Sequence, residues 1–426
     1  MRTLIRNGKI VNPRAGKSFV GSILIEDGVV TKIAAGDMNA AGAEAIDATG
    51  LSVIPGLIDM HVHFRDPGFE YKEDLVSGLE AAAAGGFTAV CTMPNTSPAC
   101  DNIGTIEYQL KKARTEGNGV RLFPVAAASK GLKGETMAPI GELKEAGAVA
   151  ISDDGKPISD SSLLLRVMQY AATFGLTYLS HAEDLSLAKG GQMNESYFST
   201  LYGLPPIPSV AESIVVAREC LMAQYLGLPV HICHVSTKAA VETIAHFKKL
   251  GVKVTAETAP HYLTLTDEAV GSYDTNTKVN PPLRSESDRK ALLAALKDGT
   301  IDAIATDHAP HHERDKNVEF NTAPSGMVGL ETAVPLLLKT VQEGHISFDR
   351  FVELFTAGYG ILGIEGGVIA EGKRADLTLI APDYQWTIDK NMFRSRSRNT
   401  PFHGFHVTGA VFRTIVGGKT VFSRTY

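Results

Sequence analysis

The sequence predicts an α/β protein: a (β/α)₈ TIM-like barrel carrying a small β-sandwich assembled from both chain ends. Three observations predict it. Short apolar strands alternate with helical periodicity through the middle of the chain, while both ends are rich in short strands and turn residues. Histidines and aspartates also stand repeatedly at the ends of the middle strands. The expected division is a sandwich portion over residues 1–52, a barrel over 53–365 and a second sandwich portion over 366–426.

At the N-terminal end, Leu4-Ile5-Arg6 is followed by Asn7-Gly8, and Ser22-Ile23-Leu24-Ile25 by Glu26-Asp27-Gly28. Asx-Gly between apolar runs predicts hairpin turns, because those residues tolerate positive φ. The last sixty or so residues repeat the texture in Ala375-Asp376-Leu377-Thr378-Leu379-Ile380 and in the run from Phe412 to Gly418.

In the middle, strands are expected at 89–92, 148–151, 177–180, 230–234, 252–257 and 303–306, with helices over 75–84 and 163–174. Such alternation argues for parallel β/α units, about eight of which can be drawn. No GxGxxG follows the first strand, which disfavours an open dinucleotide-binding sheet.

The bulk composition fits. The 426 residues are 44% hydrophobic and 21% charged, enough for one large core and a satellite. A net charge of −6 with both signs scattered excludes a basic nucleic-acid surface. Cys91, Cys100, Cys220 and Cys233 form no CxxC pair and suggest a reducing compartment. The N-terminus lacks the apolar core of a signal peptide, and no apolar run approaches the ~20 residues that span a bilayer. A soluble cytoplasmic protein without membrane partners is expected.

The chemistry lies at the strand ends, which converge on one face of a barrel. His61 and His63, two apart on a strand, point to the same side. Alone, such a pair also fits two solvated surface histidines. However, His181, His234, Asp307 and the pair Asp153-Asp154 end other strands. Four histidines and two carboxylates suit two metal ions sharing a bridging carboxylate and hydroxide. Only one of Asp153 and Asp154 can face inward from an extended strand, and spacing does not say which. His231 and His234 likewise face opposite ways. Cys233 reads as a buried apolar thiol, and His308 as a residue that orients neighbours.

Together these residues carry a resemblance. Asp59-Met60-His61-Val62-His63-Phe64-Arg65, Met93-Pro94-Asn95, Asp153-Asp154-Gly155, Asn280-Pro281-Pro282-Leu283-Arg284 and Thr306-Asp307-His308-Ala309-Pro310-His311 are similar to motifs of type I dihydroorotases in the amidohydrolase superfamily. The likeness runs to the Pro-Phe-His-Gly stretch at Pro401. It implies that His61, His63 and Asp307 hold one Zn²⁺ and His181 and His234 a second, with Asp154 and a hydroxide bridging them. Hydantoinases and the other dihydroorotase type bridge through a carboxylated lysine. No lysine stands at a comparable strand end here, which points to type I.

The resemblance also implies a substrate site. Arg65, Asn95 and His311 would grip the carboxylate of dihydroorotate, with His63 bordering it. Asn280 and the backbone at Ser325 and Gly326 would meet the ring's polar edge. Ser325 is smaller than the residue usual there. The charged stretch 312–317 is expected to be either a solvated loop or a lid. The implied reaction is reversible cyclisation of N-carbamoyl-L-aspartate to L-dihydroorotate and water, the third step of de novo pyrimidine (UMP) biosynthesis, with Asp307 as the catalytic proton carrier. The implied partners are this small-molecule substrate, a second copy in a homodimer, and aspartate transcarbamoylase. Two other readings are a cyclic amidase for hydantoins, dihydropyrimidines or allantoin, and an inactive dihydroorotase-like subunit supporting the transcarbamoylase.

Overall fold

The computed structural model describes residues 2–424. Its eight parallel barrel strands are Leu57–Val62, Phe87–Thr92, Arg121–Ala127, Ala150–Ser152, Tyr178–Ser180, Val230–Ile232, Val254–Thr258 and Ala303–Ile304, neighbours in that order. Closure occurs just past the strand ends. Val62 bridges His308 in parallel, and the His63 N–H donates to the His308 carbonyl at 2.9 Å. Asp59 reinforces the seam, since its carboxylate accepts from the His61 and Thr306 N–H groups and, at 2.6 Å, from the Thr306 hydroxyl. The first and last strands are thereby pinned where the first histidines and Asp307 emerge.

Inside the barrel a small apolar cluster of Ile58, Ala89, Cys91, Met93, Val125, Ala150, Leu179, Cys233 and Tyr359 fills the space below the site. The larger core lies between strands and helices. The expected helices form as Leu75–Ala84 and Ser161–Thr173. Asp74 caps the first, accepting from the Ser77 N–H, and Asp160 caps the second, accepting from Ser162 and Leu163. The strand Arg121–Ala127 was not among those expected, because Pro124 interrupts its apolar run.

Both chain ends meet in one continuous mixed sheet, in the order Lys419–Ser423, His406–Val416, Leu377–Thr387, Ser52–Pro55, Arg2–Asn12, Lys17–Glu26, Val29–Ala35. Glu44–Asp47 joins Arg2–Asn12 alongside. The sheet encloses its own core, which includes Ile5, Ile23, Val53, Leu377 and Phe412. Ser52–Pro55 is the joint: it lies parallel to Arg2–Asn12 and antiparallel to Leu377–Thr387.

One expected turn is corrected. Asn7-Gly8 does not reverse the chain, for Arg2–Asn12 is a single strand. The register steps from Ile5↔Ile23 to Gly8↔Gly21, so one extra residue bulges out, with Asn7 at φ 62°. An Asx-Gly pair serves a bulge as well as a turn. Asp27-Gly28 does make a hairpin, with φ of 48° and 84°. Among the described residues no helix is long and apolar enough to cross a membrane.

Candidate metal centre and active site

Six buried side chains from five strand ends converge at the barrel mouth: His61, His63, Asp154, His181, His234 and Asp307. Asp154 stands at the centre. Its Oδ1 lies 3.3 Å from His61 Nε2, 3.4 Å from His181 Nδ1 and 3.5 Å from His234 Nε2. Its Oδ2 lies 3.6 Å from His63 Nε2. Asp307 approaches from the closing seam, 3.1 Å from His63 Nε2 and 3.8 Å from His61 Nε2. Two overlapping triads, His61–His63–Asp307 and His61–Asp154–His234, each bring their ligand atoms close enough to share one ion.

The adjacent aspartates divide as one in and one out. Asp153 turns away and is consumed by the neighbouring loop, accepting from the Ala128 and Ser129 N–H groups and the Ser129 hydroxyl. His231 stays within its strand, 3.2 Å from Glu257 Oε2, whereas His234 lies beyond the strand end and reaches the cluster. His308 accepts from the Gly329 N–H at 3.1 Å and lies 3.4 Å from Glu73, away from the cluster. Burial pushes the Cys233 thiol well above its ordinary pKa, so it stays protonated.

The donor set suits divalent metal. His61 Nε2 and Asp154 Oδ1 are buried with no hydrogen-bond partner, although they face each other. Burial pushes the Asp154 carboxyl up, but His61, His181 and His234 outweigh it and hold it well below the ordinary range. Burial lowers His181, yet Asp154 and Glu183 bring it up to about 10. Asp154 and Asp307, held firmly in their charged forms beside His61 and His181, whose pKa values are raised, mark a site that demands positive charge. A metal would supply it in place of protons.

Strain collects here. Arg65, His234 and Asp307 have φ of 61°, 34° and 49°, a region that non-glycine residues rarely adopt.

The residues expected to bind substrate lie around this centre. Asn95 is engaged with the cluster itself: its Oδ1 lies 2.8 Å from His63 Nδ1, and its amide donates to Asp154 Oδ2 at 3.4 Å. Arg65 Nη2 and His311 Nε2 lie 3.4 Å apart, and Arg65 Nε donates to the Pro310 carbonyl. His311 Nε2 is 2.9 Å from the Ser325 carbonyl, and the Gly326 N–H donates to the Lys278 carbonyl. Asn399 ties these loops together, accepting from the His311 N–H and donating to the Ala309 and Gly326 carbonyls. A cleft of about 440 Å³ opens beside them, lined by Glu183, Lys278, Asn280 and Ser325 among others. The charged stretch 312–317 packs down rather than lying solvated throughout, since buried Lys316 donates to the Thr275 and Pro324 carbonyls.

Three participants escaped the sequence reading. Glu257 Oε1 sits 3.3 Å from His61 Nδ1. Glu183 lies 3.4 Å from His181 Nε2 and accepts from the Asn280 amide at 3.2 Å. Lys72 Nζ lies 3.2 Å from His311 Nδ1. Glu257 lies one residue before the end of its strand, close to the signal that marked the aspartates.

The chain is similar to known proteins along nearly its whole length. A family model described as Dihydro-orotase-like matches residues 50–240. A dihydroorotase of Trichlorobacter lovleyi is 52% identical over 424 residues, covering 99% of this chain and 100% of its own length. One of Acetivibrio thermocellus is 50% identical over 420 residues, 98% of each chain. Among solved structures, an L-hydantoinase (dihydropyrimidinase) from Arthrobacter aurescens superposes with a TM-score of 0.90 at 27% identity, covering 100% of this chain and 96% of its own. A dihydropyrimidinase from Brevibacillus agri does so with 0.87 at 26% identity, covering 99% and 95%.

Proposed function

Because the chain belongs to the dihydroorotase family of metal-dependent cyclic amide hydrolases, we propose that its six converging side chains hold two zinc ions. His61, His63 and Asp307 would hold one, and His181 and His234 the other, with Asp154 shared between them. The protein is an enzyme of pyrimidine biosynthesis, a dihydroorotase that interconverts L-dihydroorotate and N-carbamoyl-L-aspartate. The observation that supports this substrate most directly is the approach of Arg65 and His311 beside the cluster, 3.4 Å apart. A ring bearing a carboxylate satisfies a guanidinium there, and a neutral ring does not.

Bound zinc would polarise the ring amide carbonyl and lower the pKa of water to roughly 7. The protein's own residues do the rest. Arg65, Asn95 and His311 hold the ring carboxylate, with His63 beside it, while Asn280 and the backbone at Ser325 and Gly326 meet the polar edge. Burial raises the Asp307 carboxyl, but the His63 hydrogen bond and the charge of His61 outweigh it, so Asp307 starts as a carboxylate. In hydrolysis it accepts the proton of the attacking water. It then delivers that proton to the ring nitrogen as the C–N bond breaks, and cyclisation reverses these steps.

The same reading places the enzyme in the cytoplasm, as a homodimer able to dock with aspartate transcarbamoylase. It divides the chain into a barrel over 53–365 and one sandwich from 1–52 and 366–426. The test is turnover of L-dihydroorotate by zinc-loaded protein, with dihydrouracil, hydantoin and allantoin in parallel. Opening of dihydroorotate alone, abolished by a chelator, is expected. Preference for an uncharged ring would make it a different cyclic amidase. No turnover despite bound zinc would make it an inactive partner subunit.

A further inference from the structure

His311 is a neutral imidazole, because burial and the nearby charges of Arg65, Lys316 and Lys72 hold its pKa well below the ordinary value. A neutral imidazole donates from one nitrogen and accepts at the other, so its use depends on which one carries the proton. The two shorter of its three contacts point to one choice. Lys72 Nζ, 3.2 Å from Nδ1, is an ammonium that only donates, so Nδ1 must accept. The Ser325 carbonyl, 2.9 Å from Nε2, only accepts, so Nε2 must carry the hydrogen. Arg65 Nη2, also a donor, lies 3.4 Å from the same Nε2. Two donors brought this close are matched by a shared anionic acceptor.

We propose that Lys72 is a positioning residue that locks His311 in its Nε2–H form, so that the hydrogen donated to the Ser325 carbonyl is shared with the substrate carboxylate held by Arg65. This rests on the carboxylate-binding role proposed above for Arg65 and His311. In the other tautomer, His311 would present a lone pair to the carboxylate and to the Ser325 carbonyl, and both contacts would turn repulsive. Lys72 is well held for the task. Its ammonium lies 5.7 and 5.6 Å from the ring centres of Phe69 and Tyr71, and Asp315 Oδ2 is 3.5 Å away. Its backbone carbonyl accepts from the Ser397 hydroxyl at 2.6 Å.

The test uses zinc-loaded wild type, Lys72→Met and Lys72→Arg, each also in a His311→Ala background. In Lys72→Met, KM for dihydroorotate is expected to rise about tenfold, the loss of one charge-assisted hydrogen bond, with a much smaller change in kcat. Lys72→Arg, still a pure donor, should recover most of it. In the His311→Ala background Lys72→Met should add less than twofold, because the effect runs through His311. A KM within twofold of wild type in Lys72→Met, or the full tenfold loss in the absence of His311, would overturn the proposal. Wild type that opens no dihydroorotate would overturn the functional reading itself, a separate outcome.

Discussion

Glu257 Oε1 sits behind His61, 3.3 Å from Nδ1, while the opposite nitrogen of the same ring faces Asp154 Oδ1 at 3.3 Å. The carboxylate thus sets which nitrogen of His61 is free to bind metal. Burial raises the Glu257 carboxyl, but the imidazoles of His231 and His61 beside it outweigh that and bring it down to about 2, so the group is an anion throughout the working range. Carboxylates behind ligating histidines hold ring orientation and raise ligand basicity.

Glu257→Gln keeps the shape and removes the charge. Zinc affinity, read by competition with a chromophoric chelator, should fall about 10–100-fold while the fold persists. Unchanged affinity would make Glu257 a bystander.

Asp307→Asn retains an oxygen for the cluster but no base. Circular dichroism and most of the bound zinc should match wild type, with kcat reduced roughly 10²–10⁴-fold. Full turnover would remove Asp307 from the proton path.

Gly326 has φ of 133°, and a Cβ there would stand 2.7 Å from the Ala309 Cβ, 2.9 Å from the Ala309 carbonyl oxygen and 3.2 Å from His311 Nε2. Gly326→Ala should therefore cost roughly 1–3 kcal/mol in denaturant unfolding. It should also raise KM for dihydroorotate, because relieving the clash with Ala309 disturbs the loop that carries His311 and crowds its Nε2. Kinetics identical to wild type would separate this loop from the substrate.

His261 is buried, and that burial lowers its pKa from 6.5 to about 4. Unfolding restores the ordinary value, so the unfolded chain binds the extra proton between those limits. This contribution is complete above pH 6.5 and is lost as pH falls towards 4. Urea midpoints of His261→Gln should decline less steeply across that window than those of wild type. Equal slopes would contradict the assignment.

His61 and His63 were legible because a strand's two-residue period puts them on one side, and both do reach the cluster. That arithmetic stops where the strands stop. Asp154, His234 and Asp307 all lie beyond their strand ends, and two of them have positive φ, so spacing could not choose Asp154 over Asp153 or orient His234. Lys72 was invisible for another reason: it lies in a turn after the first strand, and only folding brings it to His311. Asn7-Gly8 shows the limit at the other level, since one dipeptide suits both a bulge and a turn and only the partner strand decides. The alternation that predicts the barrel survived because it repeats through most of the chain.

Ser52–Pro55 acquires its second neighbour only from Leu377–Thr387. At roughly 5–20 residues per second, a ribosome takes tens of seconds to pass from one to the other. Throughout that interval the edge of Ser52–Pro55 that Leu377–Thr387 will cover has no partner, while the whole barrel is made. The emerging chain thus carries an open strand edge for most of its birth. Removing the last fifty or so residues would leave that edge exposed for good, a template for aggregation rather than a shorter enzyme.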